Sequence, residues 1–256
     1  MIGPFRAHQA RWTVIALTAF ALLAGGLIVA ALRGGKADHY IRKQLADQAA
    51  ALSRTLNPDR IETLSFTLND RFNPSFLRLR QQMMAYAQAS PLANYQDLQY
   101  LSIYSMIQRD GQFIFGPESI DASDPRASPP GSVYEQPPEA IRKVFTTGQT
   151  CVVGPYTDEF GGFVSAYTPV LNPRNGEIAL VIGMDVDAGQ WRKAVIRAAY
   201  PPVLLALSLI ALFFTGLFFL KKNGARTSRF LSLESFLTAF CGLAITIFTT
   251  WNVYEN

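Results

Sequence analysis

Hydroxyls and carboxylates gather in one short stretch of this sequence, "GPYTDEFGGFVSAYTPV", residues 154–170. It carries Tyr156, Asp158, Glu159 and Tyr167, with Gly161 and Gly162 permitting a turn that larger residues resist. A further carboxylate, Asp185, sits inside the otherwise apolar run "IALVIGMDV". A buried carboxylate is costly unless something pairs with it. Asp185 therefore either faces a pocket and meets a ligand's donor or positive group, or it caps the next helix or pairs internally. Tyr156 and Asp158 either wall a pocket or form a solvated hairpin entry. Tyr104 and Tyr167 either present hydroxyls from a sheet face or simply pack. All of this is binding chemistry. Catalysis has no comparable signal. His8 and His39 are the only histidines, no His/Cys cluster could hold a metal, and neither a nucleophile elbow nor a phosphate-cradling loop occurs. No catalytic residue, metal site or cofactor is expected in this segment.

The elements that must position these groups can be read around them. Ile41, Leu45, Ala49, Leu52 and Leu56 recur at helical spacing, predicting a helix over 37–56 that starts after Gly34–Gly35 and ends at Asn57–Pro58. A second helix should start near Asn73–Pro74, with Phe76, Leu79 and Met83 on its apolar face. "QYLSIYSMIQRDGQFIFG" reads as two strands around Arg109-Asp110-Gly111. Residues 117–138 are proline-rich and read as a long irregular loop. A short helix over 139–147 ends at Gly148, and a strand near Cys151–Val153 follows. Residues 163–171 and 178–186 form a second hairpin, and Asp187 can cap a helix over 188–199. The expected fold class is α+β: one PAS-like antiparallel sheet with long N-terminal helices packed on one face.

Three uncharged apolar runs, Thr13–Leu32, Val203–Leu220 and Ser235–Tyr254, are each long enough to cross a bilayer as a helix. The first is longer than a signal-peptide core and has no clean small-residue cleavage site, so it reads as a retained anchor. The net charge of +4 is not a nucleic-acid footprint, because residues 33–198 hold 17 basic and 17 acidic side chains. The excess lies beside the apolar runs, most densely in "KKNGARTSR", residues 221–229. Basic short loops stay in the cytoplasm. The expected layout is a cytoplasmic N-terminus (1–12), a first membrane helix (13–32), an extracytoplasmic domain (33–198) and a second membrane helix (199–220). A basic cytoplasmic loop (221–229), a third membrane helix (230–252) and an outside tail (253–256) would follow. Pro201-Pro202 should interrupt the helical rod at the membrane edge and act as a hinge.

The stretch "PYTDEFGGFVSAYTPV", followed by "GEIALVIGMDVD", resembles the signature of Cache domains. These are PAS-like extracytoplasmic sensors of bacterial histidine kinases, diguanylate cyclases and chemoreceptors. In that family a PYxD turn enters one strand and the next strand ends in G-x-D. The resemblance spans roughly residues 36–197. It implies a small-molecule pocket between the sheet and the long loop. In amino-acid-binding members, residues matching Asp158 and Asp185 hold the ligand amine. Their Arg-x-Trp-Tyr element, which grips the carboxylate, has no counterpart in "YEQPPEAIRKVF", where Arg142 is the substitute. The candidate ligand-binding set is therefore Tyr104, Tyr156, Asp158, Tyr167, Asp185 and Arg142. The resemblance implies a multi-pass sensory receptor of a bacterial inner membrane, homodimeric, with a periplasmic small-molecule ligand. Its output would be a histidine kinase or cyclic-di-GMP enzyme domain further along a longer chain. The alternatives are a ligand-free structural or dimerisation module and an accessory protein of a transport or envelope system.

Overall fold

The computed structural model describes residues 4–94, 98, 101–223, 238–240, 242 and 246. The chain divides into two compact units. One comprises residues 34–197; the other comprises residues 1–33 and 198–256.

The unit of residues 34–197 is built on a five-stranded sheet. Its strands are β1 (Leu101–Arg109), β2 (Gln112–Glu118), β3 (Cys151–Asp158), β4 (Gly161–Leu171) and β5 (Ile178–Asp187). The order is β2-β1-β5-β4-β3, and every neighbouring pair is antiparallel. The most apolar strand, β5, lies at the centre, as its sequence requires. Asp110 and Gly111 both take positive φ, 52° and 79°, which closes the β1–β2 hairpin with the twist strands prefer.

Alternation along β5 defines two faces. Leu180, Ile182, Met184 and Val186 join a core supplied by α1 (Pro4–Thr55) and α3 (Pro74–Ala89). From α1 come Ile41, Leu45, Ala49 and Leu52, all 0% exposed; from α3 come Phe76, Leu79 and Met83. Each such Ile, Leu, Met or Phe side chain contributes about 1.5–3 kcal/mol relative to exposure in water. Asn73 caps α3 by accepting from the Ser75 amide at 2.8 Å, and Asn57 caps the short α2 (Pro58–Glu62) in the same way. On the opposite face, Val181 and Tyr167 join Tyr104, Met106 and Phe113 beneath α4 (Ala140–Thr147), with Tyr134 from the proline-rich loop. The expectation of helices on one face alone is thus corrected. Ile141 and Val144 give α4 an apolar side that must be covered, and the second sheet face covers it.

Two predicted breaks do not occur. Gly34–Gly35 does not separate two helices: α1 is continuous from Pro4 to Thr55. A glycine inside a helix costs about 1 kcal/mol, too little to interrupt hydrogen bonding that continues on both sides. Nor does Pro201-Pro202 interrupt the last helix. α5 runs from Ala188 to Asn223 with both prolines inside it, so residues 221–223 belong to its last turn and not to a loop. Two missing donors are absorbed within an otherwise unbroken ladder. The Asp187 cap is as predicted: the carboxylate accepts from the Gln190 amide at 2.9 Å.

In the other unit, α1 and α5 each contain a stretch long and apolar enough to cross a membrane. Leu209 and Phe213 of α5 pack with Phe240, and Ile15 and Leu22 lie against this cluster. The expected third membrane helix (230–252), most of the basic loop (221–229) and the tail (253–256) lie outside the described residues, apart from 221–223 and a few helical positions near Phe240.

Candidate functional site

Strand register brings the predicted carboxylate and tyrosines onto the sheet face beneath the proline-rich loop. Asp185 of β5 stands opposite Ser102 of β1 and Ser165 of β4. Two residues earlier, Gly183 stands between Tyr104 and Tyr167. A Cβ on Gly183 would lie 2.4 Å from the Tyr104 ring, so only glycine lets that ring lie across the central strand. Tyr156 and Asp158 come from the edge strand β3, where Tyr156 faces Phe163 and Asp158 faces Gly161.

The hydroxyls form a chain. Tyr104 donates to Asp185 Oδ1 at 3.2 Å, and its oxygen is 3.1 Å from the Tyr167 hydroxyl. Tyr167 is 2.7 Å from Tyr156, which is 2.9 Å from Ser165 Oγ. Asp158 is held separately. Its Oδ1 accepts from the Phe160 and Gly161 amides at 2.9 and 3.1 Å, and its Oδ2 accepts from the Tyr134 hydroxyl.

Tyr134 belongs to the loop between β2 and α4, which is an ordered strap. Gly131 N–H donates to Phe115 O at 2.8 Å, Phe115 N–H to Ser132 O at 2.9 Å, and Tyr134 N–H to Phe113 O at 2.9 Å. The strap therefore continues the sheet beyond β2. At its far end, the Glu159 carboxylate accepts from the Glu135 and Gln136 amides at 2.7 and 3.1 Å. Near its start, Ser128 N–H donates to Glu118 Oε1 at 2.9 Å.

Strap and sheet enclose a cavity of about 20 Å³, room for a single water. Its walls include Asp185, Asp158, Glu118, Tyr104 and Tyr134, with Phe115, Phe160 and Phe163 supplying apolar surface. Burial pushes the Asp185 carboxyl up to about 7; the Ser165 and Tyr104 hydroxyls oppose this, and the neighbouring Asp158 adds to it. Burial pushes Glu118 up to about 8, against the Ser128 amide and the Arg80 guanidinium. Asp158 is also raised by burial. The tyrosines Tyr104, Tyr134, Tyr156 and Tyr167 are raised by burial too, so they remain hydrogen-bond donors through the physiological range.

Five of the six predicted residues thus meet on one face. Asp158, Asp185 and Tyr104 line the cavity, while Tyr156 and Tyr167 form the hydroxyl chain behind it. The structure does not bring Arg142 to this group. It lies exposed on α4 with its guanidinium 5.2 Å from the Phe113 ring centroid. The basic side chain on the cavity wall is Arg126, which donates to Asp124 at 3.1 and 2.9 Å. Sequence reasoning also missed Glu118 and Tyr134. Glu118 is a carboxylate on a largely apolar strand, as Asp185 is, and that signal was available. Tyr134 had none, because its position depends on how the strap lies on β2. Among the described residues, no group of three His, Cys, Asp or Glu side chains is arranged to hold a metal ion.

No protein-family model matches the sequence, and no curated protein matches it. Among solved structures, the chain is similar to the ligand-binding domain of the Campylobacter jejuni chemoreceptor Tlp3 in complex with L-valine. Identity is 14%, the TM-score is 0.43, and the match covers 76% of this chain and 68% of that one. It is also similar to the sensory domain of that chemoreceptor with isoleucine bound, at 13% identity and a TM-score of 0.41, over 76% of this chain and 68% of that one. A further structure of the same sensory domain matches at 13% identity and a TM-score of 0.45, over 70% and 67% of the two chains.

Proposed function

We propose that the chain is a membrane-anchored sensory module that binds a small molecule between the sheet and the strap. The observation that carries this reading is Asp185. A carboxylate in the central strand, 4% exposed, lines the cavity beneath the strap, and its hydrogen-bond partners are the hydroxyls of Tyr104 and Ser165. A structural carboxylate at that depth would call for a cation or backbone amides around it. The resting cavity is water-sized, so a ligand enters as the strap parts from the sheet, and its binding favours one strap position over the other.

An output path starts two residues from Asp185. Asp187 caps α5, and Trp191 of α5 donates its indole N–H to Asp38 of α1 at 2.8 Å. Arg42 donates to the same Asp38 oxygen at 2.8 Å and to the Gly154 carbonyl of β3 at 2.8 Å. Shifts of β3 or β5 on ligand binding therefore bear directly on the first turns of α5 and on α1. Both helices also contain the apolar stretches suited to a bilayer. In this reading the module sits in a bacterial inner membrane as a homodimer. The sheet domain lies outside, the basic 221–229 segment inside, and the effector is a histidine kinase or cyclic-di-GMP enzyme.

The test is a thermal-shift screen of the full chain in lipid nanodiscs against amines, amino acids, carboxylates and sugars. A saturable rise in melting temperature with one class, abolished by Asp185→Asn, supports the reading. No shift with any class, or shifts indifferent to Asp185→Asn, would refute it.

A further inference from the structure

Residues 33–198 are neutral as a whole, but their charge is uneven. The segments 34–47 of α1 and 187–197 of α5 hold six Lys and Arg side chains against three carboxylates, Asp38, Asp47 and Asp187. All three carboxylates are engaged within the protein. Asp38 accepts from Arg42 Nε and from the Trp191 indole, Asp47 accepts from Lys43 Nζ at 2.6 Å, and Asp187 accepts from the Gln190 amide. Asp38 thereby joins α1 to α5, and this joint stands in a surplus of positive charge. Lys36, Arg192, Lys193 and Arg197, all exposed, contribute to that surplus. Helical spacing then carries each basic segment into an apolar one. On α5 the exposed side chains Lys193, Arg197, Tyr200, Leu204 and Leu207 follow at intervals of four, three, four and three, which is one face of an unbroken helix. On α1 the exposed Ile28, Leu32, Lys36, Tyr40 and Lys43 run from aliphatic to basic at similar intervals. Aliphatic, tyrosine and basic side chains in such a stripe suit acyl chains, headgroups and water in turn.

We infer that Lys36, Arg192, Lys193 and Arg197 form a docking surface for anionic phospholipid headgroups, and that lipid bound there steadies the α1–α5 joint at Asp38. This rests on the reading that the apolar stretches of α1 and α5 cross a bilayer, and not on ligand binding beneath the strap. Charge complementarity selects the headgroup: a net positive surface gains more from an anionic lipid than from a zwitterionic one. Continuity with the apolar runs selects a lipid over a soluble anion or an acidic protein, neither of which needs basic side chains to lead into aliphatic ones along one helix. Positive charge beside a span ordinarily marks the cytoplasmic side. In the layout proposed above this surface lies outside, so that bias does not account for it. Headgroup phosphates do, because they occur at both faces of a bilayer. The surface also lies on the proposed output path, since Arg192 and Lys193 directly follow Trp191 and its bond to Asp38.

The experiment is hydrogen exchange of the full chain in nanodiscs of phosphatidylcholine alone and of phosphatidylcholine with phosphatidylglycerol in equal parts. Amides of residues 192–197 should exchange more slowly in the mixed discs by on the order of tenfold, because each basic side chain at an anionic surface contributes about fivefold. Salt at about 1 M should erase the difference, since it screens exposed charges beyond ~3 Å. The double variant Arg192→Gln, Lys193→Gln should lose most of the protection. Arg192→Lys with Lys193→Arg keeps both charges and should retain it, as should Lys221→Gln with Lys222→Gln, which alters a different basic segment. All of these positions accept polar side chains, so each variant should melt cooperatively. Equal exchange in the two kinds of disc would overturn the headgroup surface, and so would protection that survives Arg192→Gln, Lys193→Gln. Glycerol phosphate added to the phosphatidylcholine discs should do nothing; the same protection from it would mean a soluble-anion site and not a lipid surface. A chain that fails to enter discs at all would instead refute the bilayer reading, and the thermal-shift screen against Asp185→Asn decides the pocket separately.

Discussion

Gly183 and Asp185 have different roles two positions apart on β5. Gly183 removes a side chain so that Tyr104 can lie over the strand and reach Asp185. Asp185 and Glu118 give the site its response to pH. Their carboxyls sit at about 7 and about 8 in the folded chain, above the usual 3.8 and 4.5 that the unfolded chain recovers. Below pH of about 4 both states hold these protons, and burial carries no ionisation cost. As pH rises further, the unfolded chain ionises first while the folded chain keeps its protons. Stability is therefore lost progressively from about pH 4 and fully by about pH 8, in all on the order of 10 kcal/mol at most. Asp124 has a lowered pKa of about 2, so its titration falls below this window. The melting temperature of the ligand-free chain should fall between pH 5 and pH 8, and the double variant Glu118→Gln, Asp185→Asn should flatten that slope. Calorimetric melts across this range check it; an unchanged slope in the double variant would show that the carboxyls are not the source.

The strap is the element that makes a sheet face into a site, and Gly131 anchors it. Gly131 has φ of 87°, and a Cβ there would lie 2.7 Å from the Thr67 backbone just before the 3₁₀ turn Leu68–Phe72. Its amide makes one of the bonds that join the strap to β2. Gly131→Ala combines a disfavoured backbone region with a backbone clash, so it should cost about 1–3 kcal/mol and loosen the strap. Hydrogen exchange at the Tyr134 amide should then rise selectively over that of β5; unchanged protection would mean the strap is fixed elsewhere. The elements around it were largely legible. Both hairpins, the Asn73 and Asp187 caps and the central place of β5 follow from short-range pattern. The strap was legible only as a long loop, because its pairing with β2 is non-local and its prolines and serines carry no period. Glycine and proline misled at Gly34–Gly35 and Pro201-Pro202. Their local penalties are a few kcal/mol at most, less than long helices can absorb.

At the scale of the whole molecule, the apolar runs of α1 and α5 were plain in the sequence, but how they meet was not. Gly25 and Gly26 are adjacent in α1 and look equivalent in a hydropathy profile. Within the unit of residues 1–33 and 198–256 they are not equivalent. A Cβ on Gly26 would lie 2.5 Å from Ala206 Cβ and 3.2 Å from the Pro202 carbonyl of α5, whereas one on Gly25 would meet nothing within 4 Å. Between membrane helices the hydrophobic effect offers no drive, since lipid is as apolar as leucine. Close approach at small residues and the van der Waals contact it permits do the work. Pro202 contributes by remaining inside α5, where its carbonyl faces Gly26. Gly26→Ala should therefore force the pair apart and cost about 1–3 kcal/mol, while Gly25→Ala should be neutral or slightly stabilising through its better helix propensity. Steric trapping or thermal melts of both variants of the full chain in nanodiscs separate the two positions. Equal effects at Gly25 and Gly26 would mean that α1 and α5 do not cross there. A loss confined to Gly26→Ala would mark the crossing as the contact that holds α1 and α5 together.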